Sequence, residues 1–107
     1  TPRMDAADVE RIVVEQFRSM QSWFETEGRA VPDVAIQSMT VTTAGRIPDV
    51  EASGAVPDDP AAVVWIVRAR GPFVGLRVPA GQQPAFGESG YFVISDALGE
   101  VLGMGMP

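Results

Sequence analysis

The sequence predicts an α+β fold, with one N-terminal helix packed on an antiparallel sheet of about four strands. Three observations predict it. Apolar residues recur at helical spacing only between residues 5 and 27, the rest of the chain carries β-branched runs broken by Gly, Pro and Asp, and residues 91–107 form a strand–turn–strand pattern. The 107 residues match the usual size of one domain, so 1–107 is read as a single unit with one core.

The helix comes first. Within DAADVERIVVEQFRSMQSWFETE, Val9, Ile12, Val13, Phe17, Met20, Trp23 and Phe24 fall on one stripe, with Gln16 as its polar exception. Asp5 is placed to cap the free amides of the first turn, Asp8 adds negative charge where the helix dipole favours it, and Gly28 can take a left-handed stop. The stripe, Trp and Phe included, reads as a core face.

Residues 34–45, VAIQSMTVTTAG, form the first expected strand. Their alternation slips, since Val34 and Ile36 share one parity and Met39 and Val41 the other; a bulge near Gln37 and Ser38 reconciles them. Residues 43–60 read as a long Gly/Pro/Asp connection. Its Asp49, Glu51, Asp58 and Asp59 miss the spacing of a calcium loop, so no metal and no cofactor is expected. Residues 61–71, AAVVWIVRARG, form the strongest strand: Val63, Trp65, Val67 and Ala69 lie on one face and Val64, Ile66, Arg68 and Arg70 on the other. After Pro72, residues 73–78 read as a short strand or a bent extension, and residues 79–90 as a polar loop with a lone Phe86. The ending is a hairpin that turns through Asp96 to Gly99.

Composition excludes several chemistries. The chain has no Cys, His, Lys or Asn, and all eight basic residues are Arg. It therefore offers no thiol nucleophile, imidazole base, Schiff-base lysine or Cys/His zinc site. The shortage of Lys and Asn beside abundant Ala, Val, Gly and Arg suggests a GC-rich bacterial genome. A net charge of −6 argues against nucleic acid or anionic lipid as a partner. No apolar run is long enough for a membrane helix, and the opening TPRMDAAD has no leader pattern.

Tyr91, Val93, Asp96, Gly99, Glu100, Val101 and Leu102 resemble the closing hairpin of PepSY-type domains, where an aromatic-apolar strand, an Asp and a Gly-Glu turn precede an apolar strand. Helix first and strands after is also similar to cystatin-like folds. The resemblance implies an extracytoplasmic bacterial module, secreted or anchored in the cell envelope, that binds or inhibits proteins without catalysis of its own. The Q-x-V-x-G loop of cystatin-type inhibitors has no counterpart here, and QQPAFG at 82–87 does not replace it.

For catalysis, Asp96 and Glu100 flank a turn, which supplies neither the cleft nor the separated acidities of an acid/base pair. The binding candidates lie elsewhere. Residues 63–67 and 91–94 are apolar on both parities, yet one helix covers one face of a sheet. The outer face is therefore expected to be a binding surface built from Val64, Ile66, Arg68, Arg70, Phe92 and Ile94, with Arg77 nearby in sequence. Burying even about 400 Å² of such surface yields roughly 10 kcal/mol, so it should be covered. The long loops, a second copy making a homodimer, or a different protein could cover it; in the last two cases Ile66→Asp should abolish association and keep the helix. The alternatives are a small-ligand or enzymatic domain with a cone-shaped cavity between helix and sheet, and a purely structural domain of a longer envelope protein.

Overall fold

The computed structural model describes residues 2–47, 59–75 and 85–105. Helix α1 spans Ala6–Thr26. The Asp5 carboxylate accepts a hydrogen bond from the Asp8 amide at 2.9 Å, and the Asp8 carboxylate accepts one from the Asp5 amide at 3.3 Å, so each side chain satisfies the other residue's amide. At the other end Gly28 takes φ +68, the left-handed stop that its lack of a Cβ makes cheap.

Four strands follow: β1 Ala35–Thr43, β2 Val63–Gly75, β3 Ala85–Ser95 and β4 Glu100–Gly105. They form one antiparallel sheet in the order β1-β2-β3-β4, each strand beside its neighbour in sequence. A single 3-10 turn, Ala44–Arg46, closes β1. This is the α+β arrangement that periodicity predicts, one helix on a four-stranded antiparallel sheet.

The helix buries Val9, Val13, Phe17, Met20 and Phe24 against Trp65, Val67, Ala69, Phe73, Val74, Phe92 and Ile94. Phe17 meets Phe73 and Phe92 edge-on, with ring centroids 5.1 and 5.3 Å apart, and Phe73 stacks on Phe92 at 5.1 Å. These rings fill the space between α1 and strands β2 and β3; between α1 and β4 an open cleft remains, lined in part by Ile12, Gln16, Gly99 and Val101.

Two irregularities of the sheet shape the side that faces the helix. The β1 ladder shifts between Ile36 and Ser38, which carries Ile36, Met39 and Val41 onto the helix-facing side, as the slipped alternation predicts. The β2 ladder shifts between Arg70 and Phe73, where Gly71 and Pro72 take the residues that cannot pair normally. A Cβ on Gly71 would stand 2.8 Å from the Phe17 ring, so only glycine lets the helix approach there. The shift also frees the Val74 amide, which donates to the Met20 thioether sulfur at 3.4 Å.

Two sequence-based expectations change and one alternative is decided. Trp23 is 42% exposed, because Phe24 and Met20 take the sheet and leave the margin of the stripe to solvent. The polar loop expected up to residue 90 gives way to strand at Ala85, and Phe86 packs edge-on to Phe24 with its centroid at 5.0 Å, beneath the Arg29 guanidinium. Residues 73–75 continue β2 as a bent extension.

Candidate functional site

The two faces of the sheet follow from register. Val67 pairs with Phe92 and Trp65 with Ile94, so Phe92 and Ile94 share the helix side, fully buried, and do not belong to the outer face. In their place β3 turns Tyr91, Val93 and Ser95 outward, opposite Arg68, Ile66 and Val64. Parity within β3 separates these two sets, but only pairing with β2 says which set meets the helix.

The outer face has two unlike halves. In the apolar half Val64, Ile66 and Val93 are 0, 5 and 1% exposed in the single chain, with Ile47 and Leu102 packed against the Val64, Tyr91 and Val93 cluster. Of the covers expected for this face, none beyond the chain itself is needed at Val64, Ile66 and Val93, which are buried in the single chain. At its other end Arg68 and Arg70 stand exposed. There Gln37, Arg68, Ser89, Gly90 and Tyr91 line an open cleft of about 130 Å³.

Each wall of that cleft has a structural reason. Gln37 occupies the β1 bulge, between Ile36 and Ser38, and its exposed side chain is released from regular pairing. Arg68 sits between Ser38 on β1 and Tyr91 on β3, while Arg70 pairs with Ser89. The Tyr91 ring lies across Gly105, where a Cβ would come within 2.5 Å of the phenol oxygen. Glycine at 105 thus lets the ring lie flat and form one wall. Arg70 approaches Glu88 at 3.8 Å, with both side chains largely exposed. Such a pair contributes little and exchanges readily for another carboxylate.

No family model, curated protein or solved structure matches this chain. The chemistry of the site therefore rests on its own groups. A planar guanidinium on a flat strand, flanked by an amide, a hydroxyl and a phenol, suits a carboxylate or another planar anion.

The acidic candidates have other duties. Asp96 is buried, and its carboxylate accepts from the Arg3 amide at 2.6 Å, the Met4 amide at 3.0 Å and the Trp65 indole at 3.0 Å. Burial alone would push this carboxyl up; the two backbone amides, the indole and the Arg3 charge outweigh it, and the net effect holds it below its ordinary value. All of that serves to pin the N-terminal segment to the β3–β4 turn. Glu100 is exposed at the start of β4. Asp59 accepts from the Ala61 amide at 2.9 Å within a turn. Asp49, Glu51, Asp58 and Arg77 lie outside the described residues, among which no His/Cys/Asp/Glu cluster is placed to hold a metal and no helix is long and apolar enough to cross a membrane.

Sequence reading singles out Arg68 and Arg70 but misses Ser89 and Tyr91 as their neighbours. It notes Gln37 only as a bulge. The signal was present in the parity of β3, without the register needed to use it.

Proposed function

We propose that this chain is a noncatalytic protein-binding module of cystatin-like or PepSY-like kind, working in the cell envelope or outside the cell of a GC-rich bacterium, with an inhibitory or regulatory role. It takes an acidic segment of its protein partner at the Arg68 end of the outer sheet face. One observation carries the reading: Arg68 and Arg70 stand exposed beside a cleft walled by Gln37, Ser89 and Tyr91, whereas the apolar remainder of that face is buried within the chain. The order of one helix followed by four antiparallel strands and the likeness of residues 91–102 to a PepSY closing hairpin support the kind of module and its location.

An array of Glu- and Asp-rich peptides tests this, read by fluorescence anisotropy at low and moderate salt. Wild-type protein should bind a subset with salt-sensitive affinity, and the Arg68→Ala/Arg70→Ala double variant should bind that subset about a hundredfold more weakly, as expected for two charge-assisted hydrogen bonds. Equal binding by both proteins, or none by wild type, contradicts the assignment.

A further inference from the structure

Beyond the bulge at Gln37, the β1 edge carries no charge and no proline to guard it. We propose that this edge is a homodimer interface, in which β1 pairs antiparallel with β1 of a second copy about a two-fold axis through Thr40, joining two four-stranded sheets into one.

Position supplies the first argument. β1 stands at one end of the sheet order and, among the described residues, pairs only with β2, so one side of its backbone presents a row of amides and carbonyls. Soluble proteins blunt such edges with charges, prolines, bulges or short strands. From Val34 to Gly45 the chain has no charged residue and no proline, and Ser38–Thr43 run as unbroken pairs after the bulge. The opposite edge is guarded: β4 is six residues long, opens on Glu100, contains two glycines and is itself irregular beside Val93 and Ile94.

Self-complementarity identifies the occupant. An axis normal to the sheet keeps each face on its own side, which requires paired residues of like parity. Centred on Thr40, the register sets Thr40 against Thr40 and Ser38 against Thr42 of the second copy on the outer face, where hydroxyl pairs stabilise cross-strand contact. On the helix side it sets Met39 against Val41 of the second copy, covering a valine that is 41% exposed in the single chain. A centre one residue earlier would oppose Gln37 of the bulge to Val41.

Charge completes the fit. Asp33 and Arg46 flank the strand, both exposed and neither in an ion pair among the described residues. Antiparallel pairing brings Asp33 of each copy toward Arg46 of the other. The rim of the interface is thus attractive in a molecule whose net charge of −6 otherwise opposes self-association.

Size exclusion with light scattering over a concentration series tests the proposal on wild type and on Thr40→Lys, which opposes two like charges at the axis on an exposed side chain. Wild type should move from the mass of one copy toward two as concentration rises, while Thr40→Lys stays at one copy with unchanged circular dichroism. A wild type that remains a single copy, or a Thr40→Lys protein that dimerises equally, overturns it. Thr40→Cys offers an independent reading, because the chain contains no cysteine. Mild oxidation should trap it as a covalent dimer at concentrations where wild type dimerises; a dimer that cannot be trapped there lies on another surface, and the register is wrong.

Discussion

Two backbone amides and an indole converge on the Asp96 carboxylate, which stays ionised inside the protein and ties residues 3 and 4 to a turn more than ninety positions away. Replacing it by Ala leaves three donors without an acceptor, and Asp96→Ala should cost about 3 kcal/mol in a denaturant titration. Acid should act on the same contact. Because the folded carboxyl titrates below its unfolded value, its contribution is complete above about pH 4 and fades as pH falls through the folded value. Wild type should therefore lose melting temperature more steeply as pH falls below about 4 than Asp96→Asn, which carries no titrating group there; equal slopes would show that other carboxylates govern the acid limit. Sequence alone shows Asp96 as a hairpin residue, since its partners Arg3, Met4 and Trp65 are brought to it only by the fold. Gly71 is similar. Its need for glycine comes from the Phe17 ring 2.8 Å from where a Cβ would stand, and Gly71→Ala should destabilise by about 2 kcal/mol through overpacking against that ring.

Elements whose signals are local could be read from the sequence nearly to the residue. The helix is one, because its cap, stripe and glycine stop all lie within the segment itself. The β1 bulge is another, since a slip in alternation is visible in one strand without knowing its partner. What depends on pairing was not legible: Phe92 and Ile94 look outward-facing until Val67 and Trp65 claim them for the helix side, and Ala85–Gly90 look like loop until β2's bent end pairs with them. The same dependence changes what Ile66 does. With its side chain 5% exposed on the outer face, Ile66→Asp buries an unpaired charge within the chain, so it should unfold the monomer, with a loss of about 3 kcal/mol or more. Circular dichroism checks this directly, and a folded, stable Ile66→Asp protein would mean that the outer face is open after all.

At the scale of the molecule, the described residues bury most of their apolar side chains on both sides of the sheet and leave a polar margin exposed. Phe17, Phe73 and Phe92 close the interior between α1 and strands β2 and β3, and the apolar half of the outer face is buried as well. Among the described residues of the outer face, a cleft opens at Gln37, Arg68, Ser89 and Tyr91. Half of this was legible in the sequence: Arg68 and Arg70 stand out on one parity of the strongest strand, but the strand that completes their surroundings is recognised only through register. If β1 joins two copies about an axis normal to the sheet, both clefts open on the same face, and a partner with two acidic segments would bind through both at once, with a gain in avidity. The site itself is tested most directly by backbone amide NMR during titration with a Glu-rich peptide. The amides of Gln37, Arg68, Ser89 and Tyr91 should shift together and saturate together. Shifts confined to α1 or β4, or no shifts at all, would contradict a binding site at the Arg68 end of the sheet.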